Sequence, residues 1–281
     1  MRGMFGIILT GISSALGELS SSIGKYEIKK HAISYYSIGF LTLLCGEAFF
    51  LISGFLRHDF VFVLASLPTF MPRVVLEILQ AHVGVIALTR CDRSDFGFVK
   101  TLTIPLLLAV DYILGYRTST FQVLGMVIIV ATIMMLFSLR RNRTKGLKLL
   151  LFSAVNAVAT ISLYKYNITH FNSVEAEEGI ITAILMLYFF ILAWVIAREN
   201  PLRFLTKPIF ALQSVTSGLM SISSFAFLFA PAAVITTALR ASAVLFAMIS
   251  GKVYFHEKDL YLKSILFCAL CAGLVILALG S

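Results

Sequence analysis

Charge is what this sequence has little of. Asp, Glu, Lys and Arg make up only 13% of its 281 residues, whereas 59% are hydrophobic, and the mean hydropathy is +0.94. That balance excludes an ordinary water-soluble domain and points to an integral membrane protein whose first partner is a lipid bilayer. Cysteine is scarce and scattered. Cys45, Cys268 and Cys271 lie in apolar runs and Cys91 in a short polar connection, so neither a disulfide framework nor metal-ligand spacing is present. Cys268 and Cys271 are three apart within an apolar run and are read as packing residues. Nucleophile motifs and phosphate-binding loops are also missing, and no connection is long enough to form a lid. These absences argue against an enzyme, a resident metal and a cofactor. No cleavable signal peptide is evident, because the first apolar run begins almost at Met1 and many further runs follow. The net charge is +9, but the basic residues sit in short loops between apolar runs. That is a mark of membrane topology and not of a nucleic-acid partner.

A bilayer span needs about 20 mostly apolar residues. On that ruler the sequence predicts ten helices, over approximately 3–24, 33–56, 66–89, 95–115, 119–139, 147–168, 178–197, 208–230, 233–255 and 259–279. A fixed offset of 140 residues relates the first hundred residues to the second half without gaps. Gly6 meets Gly146, Ser13 meets Ser153, and Lys25-Tyr26 meets Lys165-Tyr166. Gly39, Thr42, Phe49, Phe50, Pro68 and Phe70 meet Gly179, Thr182, Phe189, Phe190, Pro208 and Phe210, and Lys100 falls on Arg240. The expectation is therefore an all-α membrane protein of ten transmembrane helices arranged as two five-helix repeats, 1–139 and 147–281, joined by the basic linker 140–146. Five is odd, so the second repeat enters the membrane from the opposite side. The two halves are then inverted copies, an arrangement that places substrate near the midplane. Connections after odd-numbered spans hold sixteen Lys and Arg, those on the other side four. By the positive-inside tendency both termini face out, in what we read as a prokaryotic cytoplasmic membrane.

Arg73, Lys100 and Arg240 lie inside spans, with the acids Glu18, Glu47, Glu77 and Asp111 and the imidazole of His82. An intramembrane charge is expensive, about 2.5 to 3.5 kcal/mol on insertion scales, and usually faces a partner or a water-filled cavity. Lys100 precedes Pro105 by five residues, and a proline there permits a bend and frees a backbone carbonyl. Each of Lys100 and Arg240 either snorkels or neutralises a buried acid, or else binds substrate. Their matching repeat positions favour substrate binding. Arg73 and Glu77, four apart, share a helix face and pair. Glu18 and Glu47 face Val158 and Leu187 at the repeat offset, so each is a counter-ion of Lys100 or Arg240, or a coupling proton site. His82 is either a hydrogen-bonded structural residue or a proton or ligand group. Small residues on the first, eighth and tenth spans, among them Gly11, Ser14, Gly24, Ser214, Ser221, Ser224 and Gly273, allow close helix approach.

The stretch ALTRCDRSDFGFVKTLTIPLLLAVDYILGYRTSTFQVLGMVIIVATIMML, its second copy FLFAPAAVITTALRASAVLFAMISGKVYFHEKDLYLKSILFCALCAGLVIL, Pro105 and the turn glutamate Glu257 resemble the drug/metabolite transporter superfamily, of the ten-helix, two-EamA-repeat kind, over essentially the whole chain. The first copy departs from the pattern, with Gly115-Tyr116 where Gly-Glu is common. Lys100 and Arg240 are similar in placement to the cations with which phosphate and nucleotide-sugar translocators bind substrate, although Ala241 follows Arg240 where those proteins often show a second cation. The resemblance implies a secondary transporter of small metabolites by alternating access, with an anionic substrate, phosphorylated or carboxylate, held by Lys100 and Arg240. The alternative is a proton-coupled exporter of amino acids or amphipathic metabolites with Glu18 or Glu47 as proton carrier. A proton or counter-substrate and a second copy of the chain are the further partners left open.

Overall fold

A computed structural model of the chain describes residues 2–113, 119–139, 146–226 and 232–279. The linker residues 140–145, Gly115-Tyr116 and the side chains of Asp111 and Ser224 lie outside the described residues. Everything described is helix, turn or connection, with no strand among the described residues. In chain order the α-helices are α1 (Arg2–Lys29), α2 (Tyr35–Arg57), α3 (Leu67–Arg90), α4 (Arg93–Lys100), α5 (Thr103–Ile113), α6 (Thr120–Leu139), α7 (Leu147–His170), α8 (Val174–Val195), α9 (Pro208–Met220), α10 (Ser223–Ala226), α11 (Ala232–Val253) and α12 (Leu260–Leu279). Short 3-10 helices precede α3 (Leu64–Ser66) and α9 (Pro201–Thr206). Among the described residues five helices are long and apolar enough to cross a membrane: Tyr35–Arg57, Leu64–Arg90, Lys148–His170, Val174–Val195 and Leu260–Leu277. Thr120–Leu136 forms a shorter apolar helix.

Part of the element order recurs at the offset seen in the sequence. Helix α12 begins and ends 140 residues after α6, and the two 3-10 helices fall at matching places. Ser34 and Ser173 cap α2 and α8, accepting from the amides of Ser37 and Ala176 at 3.2 Å each. These caps satisfy amides that the first turn of a helix otherwise leaves open.

Two spans expected to be continuous are interrupted. The fourth breaks after Lys100, and its cause is Pro105, whose missing N–H removes the bond to the Thr101 carbonyl. The chain compensates locally. Thr101, Leu102 and Ile104 donate to carbonyls three residues back, while the Thr101 and Thr103 hydroxyls donate to the carbonyls of Phe98 and Lys100 at 2.6 and 2.8 Å. The eighth breaks after Met220, where Ser221 and Ile222 donate to Gly218 and Leu219.

The chain forms two compact units. One comprises Met1–Glu18, Arg90–Val158 and Phe225–Ser281, the other Leu19–Thr89 and Ala159–Ser224. Neither coincides with a sequence half, since each draws on corresponding stretches of both.

In the first unit α6 lies against α12, and α4 against α11, around a core of Phe98, Ile129, Leu136, Val244, Leu266, Leu270 and Leu274. Early residues of α6 meet late residues of α12, so the pair is antiparallel. A methyl group built at Gly125 would lie 2.6 Å from the Gly273 carbonyl oxygen and 2.7 Å from the Leu277 amide nitrogen. Helices α4 and α11 also run antiparallel, with Gly97 against Val244 and Ala247. Because backbone rather than a flexible side chain blocks the space, Gly125→Ala is expected to destabilise the unit by about 1 to 3 kcal/mol, the usual range for overpacking. The thermal midpoint of the purified protein checks this. Gly84→Ala, which meets nothing within 4 Å, serves as the neutral control.

In the second unit α2 packs against α8 and α9. Gly39 of α2 abuts the ring of Phe189 on α8, and Gly179, its equivalent on α8, faces Phe50 on α2. This pair is therefore antiparallel as well. Its core holds Ile28, Ile38, Leu41, Phe189 and Phe210.

Candidate functional site

Lys100 ends α4 beside the proline-induced break, and Arg240 lies in α11, both within the first unit. Antiparallel packing of these helices brings the two together. The Lys100 ammonium sits 4.7 Å from the centre of the Phe96 ring and within electrostatic reach of Arg240, Arg93 and Glu18. Neither Lys100 nor Arg240 pairs with a carboxylate among the described residues. The buried Nε of Arg240 has no hydrogen-bond partner there. As like charges within one unit, Lys100 and Arg240 repel each other.

Glu18, which the sequence marks as a counter-ion of Lys100 or Arg240 or as a coupling proton site, lies within electrostatic reach of Lys100, and its hydrogen bonds include those from Arg93 and Ser250. Arg93 grips it with Nε at 2.9 Å and Nη2 at 2.5 Å, and the Ser250 hydroxyl on α11 donates to it. The bidentate geometry is the strong form of the Arg–carboxylate pair. Arg93 itself is no loop cation: it opens α4 and is 3% exposed. Lys25 and Lys263, also counted with the connections from the sequence, are buried at 2% and 1%: α1 runs on to Lys29, past the apolar span 3–24, and Lys263 lies in the first turn of α12, where it pairs with Glu257.

Glu257, in the connection between α11 and α12, reaches the start of α4. It accepts from the amides of Arg93 and Ser94 at 2.5 and 3.4 Å, from the Ser94 hydroxyl at 2.5 Å and from Lys263 at 2.8 Å. A carboxylate is favourable at a helix N-terminus, where open amides and the helix dipole both favour negative charge. Burial opposes its ionisation, but hydrogen bonds from Lys263 and Ser94, the Lys263 charge and the Arg93 amide outweigh it and hold the carboxyl below the usual carboxylate range. A carboxyl lowered on folding contributes stability that is complete above its unfolded value, about 4.3, and is lost as pH falls through the folded value. Acidification below about pH 4.3 is therefore expected to lower the wild-type thermal midpoint. Glu257→Gln starts lower at neutral pH and shows a flatter acid limb. Parallel wild-type and variant profiles would remove this role.

The second unit holds a buried ionic network only partly visible in the sequence. Arg73 on α3, 2% exposed, donates to Glu177 at 2.7 Å and Glu178 at 2.6 Å, both on α8, while Glu77 stands 3.7 Å away. The guanidinium also lies 4.6 Å from the centre of the Tyr164 ring. Asn167 and Asn172 donate to the two oxygens of Glu177 at 2.8 and 2.5 Å. The expected Arg73–Glu77 pair is thus its weakest contact. The signal that marks the rest is the acidic run Glu175, Glu177 and Glu178 in the first two turns of an otherwise apolar span that follows the capping Ser173. Glu175 is bound in turn by Arg57 at 2.7 Å.

His82 on α3 is engaged by tyrosines of the same unit, with Nδ1 2.9 Å from the Tyr188 hydroxyl and its ring 6.1 Å from Tyr36. Glu47 on α2 is 6% exposed, and its Oε2 has no partner among the described residues. The structure therefore gathers Lys100, Arg240 and Glu18 in one unit and assigns Glu47 and His82 to the other. No metal-binding cluster occurs among the described residues. Scanned against protein-family models and searched against curated proteins, the sequence matches none.

Proposed function

We propose that the chain is a secondary transporter of a small anionic metabolite, phosphorylated or carboxylate, working by alternating access. Ten membrane segments in two inverted five-segment repeats, of the drug/metabolite transporter kind and with both termini outside, form its architecture. The antiparallel packing of repeat-related helices, α2 on α8, α4 on α11 and α6 on α12, supports inversion, because equivalent helices of inverted copies run in opposite directions. The single observation that carries the anionic cargo is the pairing of Lys100 with Arg240 at equivalent positions, without a carboxylate partner among the described residues. The break after Lys100 adds backbone that is tolerated in a membrane only where protein or a cavity surrounds it. Lys100 and Arg240 bind the anionic group, and Phe96 covers the ammonium. The test is a thermal-stability screen of the purified protein with inorganic phosphate, phosphorylated metabolites, organic acids and amino acids. A stabilising anion is expected, by the mass-action gain of a ligand that binds only the folded state. Stabilisation by cations or neutral solutes alone would overturn the anionic reading.

A further inference from the structure

We infer that Glu47 is a proton-carrying group, protonated in the conformation described here and exchanging its proton with water when the α2–α9 contact opens. The inference rests on the reading of the chain as a carrier and names the ion coupled to it. Of the two acids considered for this role, Glu18 is committed to Arg93 and Ser250. Glu47 is not committed. It is 6% exposed, takes part in no ion pair among the described residues, and leaves Oε2 without a donor.

Of the elements packed against α2, α1 brings Glu18, which Arg93 binds, and the buried Lys25, while α3 brings His82, Arg73 and Glu77, the last two within one ionic network; none forms an ion pair with Glu47 among the described residues. On α8, Glu175 pairs with Arg57, Glu177 and Glu178 pair with Arg73, and Tyr188 bonds to His82. Glu199, beyond the end of α8, accepts from Ser34 and Ser37 at the start of α2. Arg203 and Lys207, before α9, are exposed, and α9 itself carries no ionisable side chain. Cys45, on α2, accepts a hydrogen bond from Ser214. A carboxyl buried without a cation or donors is stable only in its neutral form, since desolvation penalises the charged one.

Location turns this from a static feature into a working one. The stretch of α2 that carries Glu47 lies against the interrupted end of α9. Cys45 abuts Gly218, and a methyl group built at Gly46 would lie 3.3 Å from the Ser221 hydroxyl, beside the break at 221–222. Beyond its apolar start at Phe210, the interface carries polar contacts from Gln213 to Ser221. Gln213 donates to Thr42 at 2.8 Å and to Ser20 at 3.2 Å, and its buried Oε1, like Glu47 Oε2, lacks a donor. A helix interrupted opposite a buried acid, along a lane of hydroxyls and amides, provides both the hinge and the wettable surface by which the acid meets water. The step is proton exchange alone: the carboxyl O–H bond breaks, the proton passes to water, and it is regained from the other side of the membrane.

Infrared spectroscopy of the purified full-length protein tests this through the C=O stretch of a protonated carboxyl. At pH 7, where an ordinary carboxyl is ionised, wild type is expected to show that band. Glu47→Gln should lose it, Glu47→Asp should retain a shifted band, and Glu18→Gln should leave it unchanged. In D2O the band is expected to move to lower frequency within minutes. A missing wild-type band, or one that survives in Glu47→Gln, overturns the assignment. A band unshifted after a day in D2O marks a proton locked in the core and overturns the exchange. Loss of the band when sodium replaces choline at constant pH overturns it in favour of a metal cation. None of these readouts uses an anion, so a failed anion screen and a failed proton site are told apart.

Discussion

Alanine at Lys100 or at Arg240 is expected to abolish anion binding and uptake in proteoliposomes while leaving a folded, monodisperse protein. Truncating one partner of a buried charged contact typically costs about 2 to 5 kcal/mol, and about 1.4 kcal/mol is tenfold in affinity. Each variant should therefore lose roughly one and a half to three and a half orders of magnitude in affinity. A second readout separates a binding role from a structural one. The two cations act on each other as like charges, so without ligand their removal one at a time relieves repulsion, and stability should hold or rise. If they were structural counter-ions, the same variants would expose an orphaned carboxylate and lower stability. Lys100→Arg keeps the charge and should retain most binding; normal transport by both alanine variants would remove the site.

The second large effect is on folding. Arg73→Ala leaves Glu177, fully buried, and Glu178 without their cation. Removing one partner of a buried ion pair costs about 3 to 5 kcal/mol, because the other charge stays desolvated and uncompensated. A large drop in thermal midpoint is expected. Glu177→Gln in the same background should recover part of it, since Asn167 and Asn172 still address that side chain. Additive losses from the two substitutions would show that the contact carries no coupling.

The places where helices begin and end were largely legible in the sequence, because apolar run length and short polar connections decide them. Helix α12 falls where the fixed offset from α6 puts it, and the proline five residues after Lys100 marks a break that the structure contains. Less legible was the interruption at Ser221-Ile222, where no proline stands and the chain merely carries serine in place of apolar residues. The cations were misplaced for a different reason. Arg93 and Lys263 sit next to loops in sequence, and only the fold brings Glu18 and Glu257 to them across 75 and 6 residues. A charge count along the chain cannot see a partner that tertiary structure supplies. Glu177 was hidden likewise, as its meaning depends on Arg73, 104 residues earlier.

The carboxylate that closes the front of α4 comes from 164 residues downstream. During synthesis α4 must therefore enter its surroundings with those first amides open, and it waits while α5 to α11 are made. Only when the connection before α12 emerges does Glu257 arrive to occupy them. The first half is thus not finished when its last residue is added; completion waits for the connection between α11 and α12, and any delay there leaves the Lys100 helix exposed at its root.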